Sequence, residues 1–399
     1  MTIAREDAAS PLAPPRTARL AVAGIFFLNG VALSNWIARI PDVKERLALS
    51  EGTLGLVLLC SAVGALVAQP STGVLIRHIG SRRVTTLAAL LFCASLTLPG
   101  LATSVPALML ALFLLGALNG GLDVAMNAQA AIVEARYRQP IMASFHGLWS
   151  VGGLAGALLG GYAASQAMDL ASHLLLVAVL TAACVLVAIR GLVPDRGSGG
   201  EGGPSFALPP RALLLPGLIA FGVLCCEGAI ADWGAIYLRD VIGTGPGLAA
   251  SGYAVFALLM AVGRLTGDWL TLRLGTTRMV RGGGALVALG IALALASPVP
   301  ALVIAGYGLV GAGVSCIFPL ILSAAARTPG IAPSTAIAAM ATAGYTGFLV
   351  GPPLIGSVAE ALSLRVALGF LGLLGVLVVV SGAAVERAAI SPRSSPESA

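Results

Sequence analysis

The sequence predicts an all-α membrane protein in which twelve transmembrane helices form two pseudo-symmetric six-helix bundles. The 399 residues are 58% apolar and only 10% charged, with a mean hydropathy of +0.96, whereas soluble domains carry about 25% charged residues. The apolar residues come in long runs, each near the roughly 20 residues that one helical span requires. Glycines and polar pairs also recur at a nearly constant offset between the two halves. This composition excludes a soluble globular enzyme and a disordered chain.

Twelve apolar runs give the predicted spans and domain boundaries. The predicted spans are 17–39, 52–76, 84–103, 106–133, 141–165 and 170–192, followed by 211–238, 248–271, 279–297, 300–326, 331–359 and 364–386. They define an N-terminal bundle at 17–192 and a C-terminal bundle at 211–387. The Gly- and Pro-rich segment 193–210 is predicted to be a cytoplasmic linker. Residues 1–16 are expected to form a cytoplasmic tail, and residues 388–399 a disordered tail.

The basic residues predict the orientation of the chain in the membrane. With both termini in the cytoplasm, only five of the 23 basic residues fall on the opposite side, namely Arg39, Lys44, Arg46, Arg239 and Arg365. Cytoplasmic loops of membrane proteins carry such an excess of basic residues. Abundant Ala, Gly and Arg with a single Lys suggest a GC-rich bacterial source. We therefore expect a multi-pass protein of the bacterial cytoplasmic (inner) membrane with both termini cytoplasmic.

The two halves of the sequence resemble each other at an offset of about 195 residues. Gly116 then matches Gly311, and Gly152 in the fifth span matches Gly347 in the eleventh. In the first and seventh spans the offset drifts slightly and pairs Asn35-Trp36 with Asp232-Trp233. Parallel repeats of this kind are typical of secondary transporters, in which the solute site lies between the halves near the membrane midplane.

Several local motifs add a family resemblance to this pattern. They are Asn35-Trp36 with Arg39-Ile40-Pro41, the fourth-span string from Leu122 to Gln129, the fifth-span string from Ser144 to Leu148, and the seventh-span string from Glu227 to Trp233. On these residues the whole chain resembles the major facilitator superfamily and, within it, the YbjJ-like inner-membrane branch. The resemblance implies alternating access by rocking of two bundles, with spans 1, 4, 7 and 10 lining the passage.

The superfamily also has a loop motif between its second and third spans. Here the turn glycines of that motif are present, but Arg77 occupies the acidic position and Leu272 occupies it in the second half. The resemblance implies a cytoplasmic loop gate formed by Gly73, Arg77, Gly80, Arg82, Arg264 and Asp268. Asp268 lies one helical turn after Arg264 and is a possible partner for it. The alternative is that the basic residues of the loop serve only to set the topology.

Three acidic residues lie well inside predicted spans: Asp123, Glu227 and Asp232. An Asp at a span centre costs about 2.5–3.5 kcal/mol on insertion scales, so acids at this depth usually face a wet passage or the bundle interior. His146 lies in the adjacent fifth span, and an unperturbed imidazole titrates near neutral pH. These four residues are the predicted proton-coupling groups, and a neutral, hydrogen-bonded His146 packed on the fourth span is the alternative.

Polar residues at helical spacing predict a solute site. Asn119, Asp123 and Asn127 are four residues apart and therefore share one face of the fourth span. The remaining predicted substrate-cavity residues are Asn29, Asn35, Trp36 and Trp233. The alternative for the fourth-span stripe is interhelical hydrogen bonding that holds the bundle together.

These features together predict a secondary active transporter that takes up a small polar, sugar-like solute with protons. The alternative is proton-driven efflux of a small metabolite or drug by the same fold, and a non-transporting sensor or intramembrane enzyme is the third hypothesis. No P-loop, HExxH or GxSxG motif is present, so no enzyme activity and no catalytic residue is predicted. We expect no metal and no cofactor beyond the proton gradient as the source of the coupling ion. The expected partners are the solute and the lipid bilayer, without nucleic acid, and the expected oligomeric state is a monomer.

Overall fold

The computed structural model describes residues 16–137, 141–195 and 206–388. Within these ranges the chain is helical and contains no strand, which confirms the predicted all-α class. The predicted N-terminal tail up to residue 15, the middle of the predicted linker and all but the first residue of the predicted C-terminal tail lie outside the described residues.

The described part of the chain contains sixteen α-helices, of which fifteen cover the twelve predicted spans and one lies between the first two spans. In chain order they are α1 (Arg16–Ala38), α2 (Ile40–Arg46), α3 (Glu51–Ile79), α4 (Ser81–Ser95), α5 (Leu98–Leu101), α6 (Val105–Tyr137), α7 (Met142–Ser165), α8 (Leu170–Ala188), α9 (Leu214–Ile236), α10 (Pro246–Leu274), α11 (Thr276–Ala296), α12 (Pro300–Val314), α13 (Ile317–Ala325), α14 (Pro333–Ala361), α15 (Leu364–Ser381) and α16 (Ala383–Ala388). Short 3₁₀ turns follow α8 and precede α9, and a π-helical turn at Tyr237–Val241 follows α9.

Eleven segments of the described chain are long and apolar enough to cross a membrane, judged by length and composition. The twelfth predicted span corresponds to α14, which has 29 residues but is rich in Gly, Ala and Thr and contains Pro352 and Pro353. Three predicted spans are interrupted in the described chain. The third is broken where α4 gives way to α5, the tenth where α12 gives way to α13, and the twelfth near its end where α15 gives way to α16.

Packing within the two halves follows one pattern. In the first half α1 packs on α7 and α8, α3 packs on α6, and α4 packs on α6 and α8. In the second half α9 packs on α14 and α15, α10 packs on α12, and α11 packs on α12 and α15. The helix pairs of the first half correspond to those of the second half under the sequence repeat. The two main contacts between the halves, α7 with α10 and α3 with α14, also correspond, because the repeat relates α7 to α14 and α3 to α10. The predicted pair of pseudo-symmetric six-helix bundles is therefore confirmed.

The repeated glycines mark equivalent close contacts between helices. A Cβ atom at Gly116 would overlap the carbonyl oxygen of Ser61, and one at Gly311 would overlap that of Phe256. The two glycines are 195 positions apart in the sequence, and so are the two residues that they contact. Gly152 meets the carbonyl oxygen of Phe27 in the same way. Small residues let the backbones of membrane helices approach closely, which explains why glycine recurs at these positions.

We expect Gly116→Val to destabilise the protein by about 1–3 kcal/mol or more, because the added atoms meet backbone that cannot move aside. Gly282→Val is the matched control, because no atom lies within 4 Å of a Cβ built at Gly282. Thermal unfolding in detergent measures the difference. Equal melting temperatures for the two variants would contradict this close contact between α3 and α6.

The side of the bundle at which α8 ends and α9 begins is called the linker side, and the opposite side the far side. On the linker side Gly80 has a φ of +85° and turns the chain from α3 into α4. The Asp195 carboxylate accepts hydrogen bonds from the backbone N–H groups of Ser81 (2.7 Å) and Arg82 (3.0 Å). The buried Gln129 of α6 donates to the Ser81 hydroxyl and exchanges two hydrogen bonds with the backbone of Val193. The start of the predicted flexible linker is thus fixed to the N-terminal bundle.

Asp195→Asn is expected to lower the melting temperature at neutral pH. Burial opposes ionisation of Asp195, but the N–H groups of Arg82 and Ser81 outweigh burial and lower the pKa of its carboxyl. A lowered pKa contributes stability above the pKa of the unfolded chain, and this contribution is lost as the pH falls through the lowered value. The difference between wild type and variant should therefore shrink on acidification. A difference that does not change with pH would contradict this assignment.

Candidate functional site

A hydrogen-bonded group of polar side chains joins three helices of the N-terminal bundle. Asn29 of α1 donates from Nδ2 to Oδ1 of Asn119 on α6 (2.8 Å), and its own Oδ1 accepts from the indole Nε1–H of Trp149 on α7 (2.7 Å). Asn29 is buried, whereas Asn119 and Trp149 are partly exposed. Two of the predicted cavity residues, Asn29 and Asn119, are therefore in direct contact.

The predicted stripe on α6 continues toward the linker side. Asn127 donates from Nδ2 to the Asp123 carboxylate (3.1 Å) and to the Asp123 carbonyl oxygen (2.9 Å). The Oδ1 of Asn127 lies 3.1 Å from Nε2 of His146 on α7. His146 therefore reaches Asp123 through Asn127 rather than directly. Asn119, Asp123 and Asn127 are all partly exposed, as their common helix face predicts.

Arg264 of α10 connects this group to the C-terminal bundle. The sequence places it in a loop gate with Asp268 as its partner, but its guanidinium lies 3.7 Å from the Glu227 carboxylate of α9. It also donates to the Ser150 hydroxyl of α7 (3.0 Å) and lies over the Trp149 ring at 5.9 Å. Asp268 is exposed and makes no ion pair in the described chain. Arg264 prefers Glu227 because both lie inside the bundle, where an unpaired charge is costly.

The assembled site contains two acids (Asp123 and Glu227), the imidazole of His146, the guanidinium of Arg264 and several amides. Glu227 lies near the middle of α9, and 17% of its side chain is exposed, as is 19% of the Arg264 side chain. Asp123 is also partly exposed. The amide groups of Asn29, Asn119 and Asn127 can donate to and accept from hydroxyl groups. Within the described residues no group of His, Cys, Asp or Glu could hold a metal ion.

Other predicted site residues lie elsewhere. Asn35 is fully buried and contacts Nε2 of His173 on α8 at 3.1 Å, so it faces the interior of the N-terminal bundle. Trp36 and Trp233 are also buried in helix contacts. Asp232 is partly exposed and forms no hydrogen bond or ion pair with the described residues. Asn29 and Asn35 are six residues apart and diverge by about 120° around the helix, and depth in the span favours Asn29 as the cavity residue.

The remaining residues of the predicted loop gate lie at the linker side. Arg77 is exposed at the end of α3, and no ion pair forms between it and the described residues. Gly73 lies one turn earlier and has no atom near a Cβ built on it. Gly80 and Arg82 form the turn that Asp195 caps through backbone hydrogen bonds. The gate residues thus do not form a single cluster, because Arg264 lies deeper in the bundle.

On the far side, charged residues join the two halves in a group that sequence reasoning missed, which we call the far-side latch (Arg39, Asp42, Lys44, Glu45, Arg239 and Asp240). Arg239 pairs with Asp42 (2.6 Å) and Glu45, and Lys44 pairs with Asp240 (2.7 Å). Burial opposes the charge of Lys44, but its hydrogen bonds to Asp240 and Glu51 outweigh burial and raise its pKa. The signal was present in the sequence as opposite charges in the loops after spans 1 and 7.

Arg39 anchors the latch within the N-terminal bundle. It is 3% exposed, contacts Asp42, and lies 3.0 Å from Nδ1 of His173. It also donates to the carbonyl oxygen of Met168 (2.7 Å). A second contact closes the same side, where the backbone N–H of Gly52 donates to Glu360 of α14 (2.9 Å). Among the described residues the polar contacts between the halves lie on this side, except for that of Arg264 with Ser150.

Two parallel-repeat bundles with polar and charged residues between them define the class of secondary transporters. The chain belongs to the Major Facilitator Superfamily, whose family model matches residues 22–333 and 254–398. It is 38% identical over 91% of its length to an uncharacterized MFS-type transporter of Yersinia pestis, covering 94% of that protein. It is 34% identical over 92% of its length to the membrane protein MosC of Rhizobium meliloti, covering 90% of that protein. The YbjJ-like branch stays a prediction.

Solved structures show the same fold at low sequence identity. A variant of the nucleoside transporter NupG has a TM-score of 0.74 at 14% identity, with 92% of this chain and 99% of that chain covered. A bacterial homolog of the human lysosomal transporter Spinster, in an inward-facing and occupied conformation, has a TM-score of 0.72 at 15% identity. That comparison covers 94% of this chain and 98% of the homolog.

Proposed function

We propose that the chain is a proton-coupled secondary transporter that takes up a small polar, sugar-like solute by alternating access. In this proposal it is a monomer of the bacterial inner membrane with both termini, and hence the linker side, in the cytoplasm. The solute binds between the halves near Asn29, Asn119 and Trp149. Asp123 and Glu227 take up protons from outside and release them inside.

The observation that carries the proposal is the partly exposed stripe of Asn119, Asp123 and Asn127, which meets polar residues of α1 and α7 inside a membrane-spanning bundle. Ionisable residues at this depth are expensive and usually mark ion or substrate paths. The amides suit a solute with hydroxyl groups, because each amide offers both donors and acceptors. The solute of NupG, a nucleoside by its name, is also polar.

The closed far side supports an inward-facing state as one of the two states of the cycle. The latch and the Gly52–Glu360 contact hold the halves together there. The backbones of α3 and α14 are also in close contact there. A Cβ atom added at Gly55 of α3 would lie only 2.6 Å from the carbonyl oxygen of Pro352 on α14. Opening the far side requires these contacts to break as the two bundles rock.

Proton coupling is tested in liposomes that contain the purified protein and a pH-sensitive dye in their lumen. A panel of sugars, cyclitols and nucleosides is added outside, and we expect one of them to acidify the lumen and to accumulate when the outside is acidic. If the solute instead accumulates in liposomes whose protein has the opposite orientation, with protons leaving the lumen as the driving force, the result would favour efflux. Solute flux without any proton movement would contradict the proposal.

A further inference from the structure

Arg264 is a cation inside the membrane-spanning part of the bundle whose hydrogen-bonding capacity is largely unused. A guanidinium has five N–H donors in a rigid planar fork. Within the described residues one of them donates to a side chain, the Ser150 hydroxyl. The nearest Glu227 oxygen lies 3.7 Å away, which is an ion pair but too long for a hydrogen bond. The part of the guanidinium that is exposed therefore keeps donors free for another group.

The surroundings of Arg264 form a site that spans both halves of the protein. Ser150 supplies a hydroxyl, and Trp149 supplies an aromatic face while its indole N–H donates to Asn29. All three of these residues belong to the N-terminal bundle, whereas Arg264 and Glu227 belong to the C-terminal bundle. A solute held by Arg264 together with Asn29 would thus contact both bundles at once, as a carrier of this architecture requires.

The charge of Glu227 decides whether Arg264 can attract an anion. An ionised Glu227 neutralises the guanidinium, and a protonated Glu227 leaves it as an uncompensated cation. Among the charged groups on the helices packed around Glu227, Arg264 is the one that pairs with Glu227. Tyr253 of α10 and Tyr345 of α14 lie near enough to interact electrostatically with the Glu227 carboxylate. Arg is also the residue best matched to carboxylate and phosphate oxygens, which it binds through two parallel hydrogen bonds.

We propose that Arg264 is the recognition site for an oxyanion group on the solute, so that the transported molecule is a hydroxylated acid and binds together with a proton on Glu227. This inference rests on the proposed function and refines it from a neutral polar solute to an acidic one. The solute oxyanion replaces Glu227 as the partner of Arg264, and the proton on Glu227 cancels the added negative charge. Asp123 remains free to carry the proton that drives uptake.

The test is binding to the full-length protein in detergent, measured by thermal shift with four matched hexose probes. They are glucuronate (carboxylate), glucose 6-phosphate (phosphate), glucose (neutral) and glucosamine (cationic). We expect glucuronate or glucose 6-phosphate to raise the melting temperature in a saturable way at acidic pH, and the one that does so identifies the oxyanion. Glucose and glucosamine should have at least tenfold weaker effects. A stronger effect of glucose or glucosamine, or no effect of either acid, overturns the proposal.

Variants separate recognition from folding. Arg264→Gln should abolish the shift caused by the acid, whereas Arg264→Lys, which keeps the charge but loses the fork, should weaken it about tenfold or more. Arg365→Gln is the matched control, because Arg365 is an exposed arginine that bonds the Leu295 carbonyl oxygen within its own half. If Arg264→Gln fails to fold, Arg264→Lys and Ser150→Ala still report on the site. Undiminished acid binding in Arg264→Lys and Arg264→Gln would overturn the proposal.

Proton uptake on binding gives an independent readout. Titration calorimetry in two buffers of different ionisation enthalpy should show about one proton taken up per acid bound by the wild type, and close to none by Glu227→Gln. Equal proton uptake by the two proteins would contradict the role of Glu227. Binding is measured without a gradient, so it is independent of transport. Acid binding without flux in liposomes would refute the proposed transport but leave this binding site in place. Proton-coupled flux of a neutral solute without acid binding would support the proposed transport and refute this site.

Discussion

Asp123→Asn should lower solute accumulation driven by a proton gradient about fifty-fold while leaving solute exchange across the membrane in place. One proton moving through 100 mV supplies about 2.3 kcal/mol, which sustains roughly a fifty-fold solute gradient. Without an ionisable group at position 123 the proton on Glu227 remains and accumulation should fall by about the factor that one proton supplies, because Asn can keep the geometry of the hydrogen bond from Asn127 but cannot carry a proton. Uptake by reconstituted liposomes with and without a pH gradient measures the change.

Exchange of labelled for unlabelled solute without any gradient is the internal control, because it requires binding and reorientation but no net proton movement. Asp123→Glu should restore part of the accumulation, since it keeps the carboxyl group. Full pH-driven accumulation by Asp123→Asn would show that Asp123 is not the coupling residue and would leave Glu227 in that position.

Arg239→Gln should shift the protein toward an open far side. The substitution removes the cation that pairs with both Asp42 and Glu45 across the two halves. Single exposed ion pairs contribute only about 0–1 kcal/mol, but one arginine that holds two carboxylates, next to the Lys44–Asp240 pair, forms a network with a larger effect. We expect the labelling of Ser34→Cys, a near-isosteric change at a buried position of α1, by an impermeant thiol reagent from the far side to rise several-fold.

The matched control for this experiment is again Arg365→Gln, which removes a far-side arginine that makes no polar contact with the other half in the described residues. Raised salt should have the same direction of effect as Arg239→Gln, because it screens exposed pairs. Identical labelling in Arg239→Gln and Arg365→Gln would mean that backbone packing of α3 on α14, rather than charge, closes this side.

Much of the fold follows from the sequence because the membrane restricts the possible structures so strongly. Apolar runs of sufficient length must form helices in a bilayer, since every backbone group has to be satisfied internally. The repeat was also visible, because Gly116 and Gly311 fill the same structural role. The breaks between α4 and α5 and between α12 and α13 were not predicted, because a short interruption leaves the mean hydropathy of a span unchanged.

The candidate site was predicted only in part. Helical spacing correctly grouped Asn119, Asp123 and Asn127, because one periodicity places them on one face. Arg264 lies within the predicted span 248–271, and the family resemblance grouped it with the cytoplasmic loop gate, because the sequence gives no measure of how deep a residue near a span end lies in the bundle. Its pairing with Glu227 and its contact with Ser150 depend on how three helices meet, which no local pattern records. The far-side latch was missed although opposite charges were visible in the loops after spans 1 and 7, because the sequence does not show that these two loops meet.

The central claim is that the polar face of α6 borders water rather than lipid, and cysteine accessibility along α6 tests it most directly. In a protein whose native cysteines are replaced, Asn119→Cys and Asn127→Cys should react with an impermeant, charged thiol reagent in the membrane, and added solute should slow the reaction. Leu114→Cys, on the exposed apolar face of the same helix, should not react. No reaction at positions 119 and 127, or equal reaction at all three, would contradict the account.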